Sequence, residues 1–282
     1  MTVGATFRDL TVDDVQDGLV LCRESGWNQT EADWRLLLAP PSVFRAAVVE
    51  GRVVGSAGAM IYGDALAWVC MVLVSPAQRG QGLGKCLVEQ VLERLEAVRA
   101  IGLDATPKGQ SVYAALGFEP TGSLARLLAT SGEIASLPSD DARPMTEADL
   151  LRVLPRDEAA FGADRARVLR HAFTGAPEYA WCVGTAEAIR AYGLGRHGAL
   201  AEHIGPVVAE TEDAAAAVVR ACLGAHPGRP FFLDAPARPE WREALSKMGF
   251  REQRPFTRMH RGGLLPTAQT EDVYAAFGPE LG

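Results

Sequence analysis

Trp68-Val69-Cys70-Met71-Val72-Leu73-Val74-Ser75-Pro76-Ala77-Gln78-Arg79-Gly80-Gln81-Gly82-Leu83-Gly84 is the stretch that orders the rest of the chain. Its apolar run to Val74 predicts a buried strand. Leu83, Leu87, Val91 and Leu95 then recur every four residues, with Val88 and Leu92 beside them, and predict an amphipathic helix over 82–99. A glycine-rich turn between a strand and a helix presents free backbone N–H groups where the helix dipole is positive, which suits a phosphate or pyrophosphate. The glycines allow positive φ and close backbone approach. Two common nucleotide cradles are excluded. Gly84 is followed by Lys85-Cys86 where a P-loop needs Lys-Ser or Lys-Thr, and Gly80-x-Gly82-x-Gly84 is not G-x-G-x-x-G.

Outward from this stretch, residues 5–10 read as a strand, Asp13-Asp14 start a helix to about Arg23, and Thr30 caps a second over 31–38 that Pro40-Pro41 stops. Residues 43–49 and 53–60 form a hairpin at Glu50-Gly51, and Tyr62-Gly63-Asp64 turns into the strand over 66–74. A short apolar segment at 101–105, a helix over 107–116 ending at Gly117 and a strand over 121–129 complete the unit. The order is β-α-α-β-β-β-α-β-α-β.

Arg79-Gly80-Gln81-Gly82-Leu83-Gly84, after a strand ending Val72-Leu73-Val74-Ser75-Pro76, resembles the acetyl-CoA site of the GCN5-related N-acetyltransferases (GNAT), and the element order over about residues 5–130 is theirs as well. The resemblance implies acetyl-CoA as cosubstrate. It would be held by backbone from Met71, Val72, Leu73 and Val74 and by Arg79, Gly80, Gln81, Gly82, Leu83, Gly84 and Lys85. It also implies direct acetyl transfer to an amine in a ternary complex. Tyr113, in Tyr113-Ala114-Ala115-Leu116-Gly117-Phe118, stands where the family often has the acid that protonates the leaving thiolate, a role a phenol at neutral pH can fill. The alternative is a tyrosine that packs and spends its hydroxyl on a backbone carbonyl.

The second half repeats the first. Leu103-Asp104-Ala105 followed by Gly117-Phe118 recurs as Leu233-Asp234-Ala235 followed by Gly249-Phe250, and a strand over 199–209 with a helix over 212–223 parallels 66–74 with 82–99. The expected fold is therefore α+β. Two tandem GNAT-like lobes, 1–130 and 144–263, each carry a mixed, mostly antiparallel twisted sheet flanked by helices, with a linker over 131–143 and a tail over 264–282 holding a short helix around 271–277. Phe161-Gly162-Ala163-Asp164-Arg165 and Ile204-Gly205-Pro206-Val207-Val208-Ala209 resemble the C-terminal domain of a group of bacterial tandem acetyltransferases. At its strand-to-helix turn, however, the second lobe has Ala209-Glu210-Thr211-Glu212-Asp213. Carboxylates there meet a pyrophosphate with like charge, at about 1 kcal/mol each in the wrong direction, so no CoA is expected in that lobe. Leu245 replaces the tyrosine.

Composition bounds the rest. The chain has 282 residues, 48% hydrophobic and 22% charged, with a net charge of −7, which argues against nucleic-acid and anionic-membrane partners. Neither an apolar run of membrane-spanning length nor a signal-peptide pattern is present, and five scattered cysteines suit reduced thiols in a cytoplasmic protein. No metal-ligand spacing occurs. The lobes are expected to pair internally as a monomeric pseudo-dimer, a homodimer being the alternative.

On the acceptor side Trp27, Asn28 and Asp64 are the candidates. Trp27 and Asn28 form an aromatic-polar patch beside Trp34, itself read as core, and Asp64 is either a turn former or an acid facing the cleft. Glu24 and Glu31 read as exposed helix charges, Cys86 as a core thiol rather than a nucleophile, and His203 as structural. The reading is an N-acetyltransferase acting on a small-molecule amine, with an acidic chain suiting a cationic acceptor. An acyl-CoA sensor without turnover and an acetyltransferase of protein N-termini or lysines stay open as rivals.

Overall fold

The computed structural model describes residues 4–130, 141–226, 228–263 and 270–282. The first half runs β1 (Thr6–Asp9), α1 (Val15–Ser25), α2 (Glu31–Leu38), β2 (Ser42–Val49), β3 (Arg52–Tyr62), β4 (Leu66–Val74), α3 (Leu83–Glu93), β5 (Ala100–Ala105), α4 (Gln110–Ala115) and β6 (Glu119–Ala129). The second half has the same succession in β7 (Ala142–Pro144), α5 (Glu147–Phe161), α6 (Ala166–Gly175), β8 (Trp181–Gly184), β9 (Ile189–Arg196), β10 (Glu202–Ala209), α7 (Glu212–Ala225), β11 (Phe231–Pro236), α8 (Pro239–Lys247) and β12 (Phe250–Gly262). It then adds β13 (Val273–Ala275).

The duplication reaches individual side chains. Arg8 pairs with Asp14, whose carboxylate also accepts from the Thr11 amide; Arg143, Asp149 and Thr146 repeat that arrangement. The spacing Arg-x-x-Thr-x-x-Asp is thus a second copy of the repeat in the sequence. Each set fixes the turn from first strand to first helix.

Three expected segments differ. The helix over 82–99 is helical only to Glu93; tight turns follow, after which the Arg99 amide reaches the Asp64 carbonyl and starts β5 beside β4. Of the expected linker over 131–143, residues 131–140 lie outside the described residues, and Ala142 already opens β7. The tail forms a strand where a helix was expected over 271–277, because β10 offers Val207 and Val208 as partners for Ala275 and Val273.

Two tandem sheets were expected, and among the described residues there is one continuous sheet, ordered β1-β2-β3-β4-β5-β12-β6-β11-β10-β9-β8-β7 with β13 against β10. The last strands of the two halves are exchanged. β12 pairs with β5 and β6 pairs with β11, while β6 and β12 pair with each other. Residue 130 divides the chain but not the space it fills. The repeated Leu-Asp-Ala explains what fastens the exchange. Asp104 on β5 takes a bidentate pair from Arg258 on β12, at 2.9 Å for both bonds, and Asp234 on β11 takes one from Arg126 on β6, at 2.9 and 2.7 Å. Both carboxylates are buried.

Leu83, Leu87, Val88, Val91 and Leu92 bury one face of α3 on the first lobe's sheet, each side chain contributing roughly 1.5–3 kcal/mol. On the other face a single core joins both lobes. Leu21, Trp34 and Leu37 of α1 and α2 share it with Leu150, Val153 and Leu169 of α5 and α6, and with Phe277 and Leu281 of the tail.

With each sheet completed by the other's strand, the protein is expected to unfold in a single calorimetric transition, and two resolved transitions would contradict the coupling. Arg126→Met leaves the Asp234 carboxylate buried without its guanidinium and is expected to cost about 3–5 kcal/mol in chemical unfolding.

Candidate active site

The site begins where β4 and β5 part. They pair only at Leu66–Ala100, Ala67–Ile101 and Trp68–Gly102, yet β4 continues to Val74 and β5 to Ala105. The wedge leaves backbone groups of β4 beyond Trp68 facing an opening. A bulge in β4 against β3 lies at the same place. Met71 has φ of 51°, uncommon for a side chain other than glycine, and its carbonyl accepts from the Ser56 hydroxyl at 2.7 Å. The bulge is pinned and re-aims the backbone of Met71 and Val72 at the wedge.

Beyond Val74 the chain enters the glycine turn. Gly80 and Gly82 have φ of 78° and 80°, and the space where their Cβ atoms would stand is open. Gly82 is the N-cap of α3 and supplies no side chain to cap it. The first turn of the helix therefore presents unpartnered amides at Leu83, Gly84 and Lys85. The Leu83 side chain is buried in the core, so only its backbone serves the turn. Arg79 spends its guanidinium on the loop itself, donating to the Val74 carbonyl at 2.9 Å and to Ser25 at 3.3 Å. Gln81 donates to Gln78, and Lys85 pairs with Glu89, both at the surface. Gln78, Arg79, Gly80, Gly82, Gly84 and Lys85 line a groove, open to solvent, whose opposite lip holds Lys108 and Gly109; Gln81 is not among its lining residues. The residues present suit a nucleotide pyrophosphate: free amides, positive φ glycines and no carboxylate on the turn.

At its inner end the groove meets a second, smaller recess. Trp27, Val72, Asp104, Thr106, Tyr113 and Arg254 line both. Tyr113 therefore stands at the junction. Its ring is edge-on to Phe118, and among the described residues its hydroxyl has no hydrogen-bond partner, so it is not spent on a backbone carbonyl. Burial, with a smaller contribution from Cys70, raises its pKa above the ordinary phenol value and keeps it protonated. The neighbouring Cys70 thiol is raised by burial and by Glu280, and is inert at neutral pH.

Two acceptor-side candidates are placed elsewhere. Asn28 is fully buried, donates to the Ala201 carbonyl at 2.9 Å and accepts from the Leu200 and Ala201 amides at 2.8 and 3.0 Å. Its polar atoms staple the first lobe to a second-lobe loop, away from both recesses. Asp64 sits in the turn before β4, at the far end of that strand from the wedge, and borders neither recess. Trp34 is core, and Glu31 pairs with Arg35 at the surface. His203 is buried between Arg196 and Asp234, and burial holds its pKa well below the usual imidazole value. Cys86 is half-buried and accepts from the Gln90 amide at 3.4 Å.

What sequence reading missed came from far along the chain. Arg126, Arg254 and Phe256 reach the recess on the exchanged strands, and Pro279 and Glu280 close it from the tail. No local pattern announces them. Trp68 donates to the Pro279 carbonyl, Tyr62 to the Leu281 carbonyl, and Arg165, stacked on Phe161 and paired with Asp157, to the Gly282 carbonyl.

The second lobe opens the same wedge and closes it. β10 and β11 pair only at Glu202–Phe231, His203–Phe232 and Ile204–Leu233; β13 then fills the gap, bonded to β10 and, through Ala276, to Asp234. Gly205 makes room for it, since a Cβ there would strike the Ala276 carbonyl. At the head of α7 the Thr211 hydroxyl accepts from the Ala214 amide, and Glu212 and Asp213 occupy the first turn. One wedge is free and one is sealed.

Among the described residues no group of three or more His, Cys, Asp and Glu side chains is placed to hold a metal ion, and no helix is long and apolar enough to cross a membrane.

Comparison with known proteins gives matches to both halves. Residues 11–118 match the Acetyltransferase (GNAT) family and residues 153–275 an Acetyltransferase (GNAT) domain. The chain is 26% identical to the uncharacterized N-acetyltransferase YitH of Bacillus subtilis (strain 168), over 82% of this chain and 83% of the relative. It is also 26% identical to holothin acyltransferase of Pseudoalteromonas sp. (strain SANK 73390), over 85% of this chain and 81% of that one. In fold it is similar to a crystal structure of a candidate acetyltransferase from Pyrococcus horikoshii, with a TM-score of 0.82, 20% identity and coverage of 100% and 97% of the two chains. It is likewise similar to a tandem GNAT protein from the clavulanic acid biosynthesis pathway, with a TM-score of 0.62, 16% identity and coverage of 91% and 98%.

Gly82→Asp puts a carboxylate and a strained backbone at the head of α3. It is expected to weaken acetyl-CoA binding by at least about a hundredfold in calorimetry. Unchanged affinity would remove the glycine turn from the binding site.

Proposed function

The chain belongs to the GCN5-related N-acetyltransferases, with two domains of that family in tandem, and on that premise we propose that its first lobe transfers an acetyl group from acetyl-CoA to a primary amine of a small molecule. The observation that carries this is the junction at Tyr113. A groove ending in uncapped amides meets a walled recess there, with a protonated phenol between them.

The groove holds the nucleotide end of acetyl-CoA through the amides of Gly80 to Lys85, and the opened edge of β4 holds its pantetheine arm. With both substrates bound, the amine attacks directly and the re-aimed backbone at Met71 and Val72 faces the charge that develops on the thioester oxygen. Tyr113 donates a hydrogen bond to the sulfur as negative charge builds on it. Its raised pKa favours stabilising the thiolate over an early, complete proton transfer. The recess is small and roofed by Pro279 and Glu280, which supports a metabolite-sized acceptor over a polypeptide. The internal pairing of the lobes supports action as a monomer.

Thiol release from acetyl-CoA against polyamines, aminoglycosides, amino acids and lysine peptides tests the reading. Release with a small amine and none with peptides is expected. Tight acetyl-CoA binding with no release from any acceptor would favour a sensor. Tyr113→Phe is expected to lower kcat about 10²-fold with little change in acetyl-CoA affinity. The rate is expected to rise with pH as the acceptor ammonium loses its proton. Because burial raises the Tyr113 pKa, phenol ionisation should not cut the rate back below about pH 10.

A further inference from the structure

The acceptor recess contains two charged groups whose bonding capacity the protein leaves unmet. Glu280, on the tail, is 3% exposed; its Oε1 accepts from Arg196, whose other terminal nitrogen is held by Asp33 at 2.9 Å. Its Oε2 is buried and has no hydrogen-bond partner. Arg254, on the exchanged strand β12, is the second. Its Nε is buried without a partner, and among the described residues its guanidinium forms no ion pair, lying 5.2 Å from the centre of the Phe256 ring. Burial and the nearby Arg126 depress its pKa. Both side chains line the recess that ends at Met71 and Tyr113.

Buried polar groups are ordinarily paired, and an orphan pair of opposite sign on one cavity wall implies a ligand that satisfies both. The other charges nearby are matched: Asp104 with Arg258, Asp234 with Arg126, and Arg196 with Asp33 and one oxygen of Glu280. What remains is one carboxylate oxygen and one guanidinium. A polyamine would satisfy the first and be repelled by the second.

We propose that the acceptor is an amine that carries its own carboxylate, an amino acid or a related amino acid-like metabolite, with the carboxylate on Arg254 and the ammonium on Glu280. This rests on the reading of the first lobe as an acetyltransferase, and it replaces the cationic acceptor that net charge alone suggests. Glu280 then has a chemical task as well. Its Oε2 takes a proton from the ammonium, freeing the nitrogen lone pair for attack on the thioester carbon. The N–C bond forms, the C–S bond breaks, and the thiolate takes up the second nitrogen proton by way of the Tyr113 hydroxyl. Amide, CoA thiol and one proton on Glu280 result, and that proton returns to solvent as the products leave.

The test uses the full-length chain and matched acceptors: L-alanine with ethylamine, L-phenylalanine with phenethylamine, and L-lysine with cadaverine, compared at equal concentrations of free amine. Within at least one pair the carboxylate-bearing member is expected to have a kcat/KM about 10- to 100-fold higher, the effect of one charge-assisted contact. Arg254→Met should reduce that ratio at least tenfold through KM, and Arg254→Lys should restore part of it. Glu280→Gln keeps an oxygen for Arg196; it should lower kcat about 10²-fold while calorimetric acetyl-CoA affinity and the unfolding midpoint hold. Equal or better turnover of the decarboxylated amines, or a ratio that Arg254→Met leaves intact, overturns the proposal and leaves the acetyltransferase reading standing. Acetyl-CoA binding with no thiol release from any acceptor overturns both.

Discussion

The exchange of β6 and β12 is the constraint on which everything else in the molecule depends. Each lobe ends its own sheet with a strand from the other, and the two strands are locked by matching bidentate pairs on buried carboxylates, Asp104 with the partly exposed Arg258 and Asp234 with the buried Arg126. Desolvation raises the Asp104 pKa more than its guanidinium lowers it, whereas Asp234, equally desolvated, is held below the usual carboxylate range by Arg126 and, more weakly, by Arg196. A pair of this kind adds little net stability over a well-packed apolar one, but removing either partner is costly. Its use here is register. It fixes which residues of β12 border the first lobe's cleft, and so places Arg254 and Phe256 there.

The second consequence is asymmetry between two copies of one architecture. Both wedges form because β4 and β10 each leave their parallel neighbour after three paired residues. The first is headed by glycines and amides without a cap, the second by Thr211 and two carboxylates. The tail then decides between them. β13 completes the second lobe's hydrogen bonding, and the residues after it run into the core of the first, held by Tyr62, Trp68, Arg165 and Arg196. The lobe without a cradle thus serves the other, supplying Arg196 and the exchanged strand and, through β13, anchoring the tail that carries Glu280.

A buried network crosses the seam. Asp33 caps α2 by accepting from the Thr30 amide and also pairs with Arg196, while Asn28 one turn earlier binds the loop at Leu200 and Ala201. The loop that carries Trp27 to the cleft is therefore set by second-lobe contacts on the residue beside it. A lobe alone would keep its glycine turn but lose this wall of the recess.

Local signals in the sequence determined the elements of the first lobe, the glycine cradle, the place of Tyr113 and the duplication. The 3.6 and 2 residue periods, the Thr30 cap and the Gly117 stop act within a few residues of themselves, and that range is enough to write helices, strands and turns. The repeat Arg-x-x-Thr-x-x-Asp was equally available there, at Arg8 and Arg143. Tertiary structure alone decided the rest: that β6 and β12 change places, that Asn28 is a staple and Asp64 is remote, that the tail is a strand, and that Arg254 and Glu280 meet Tyr113. These follow from which unsatisfied strand edge and which unpaired charge find each other across more than a hundred residues of chain. Hydrogen bonds and ion pairs at that separation leave no periodicity behind; they are chosen by closure of the sheet and burial of charge, and neither exists until the whole chain has folded.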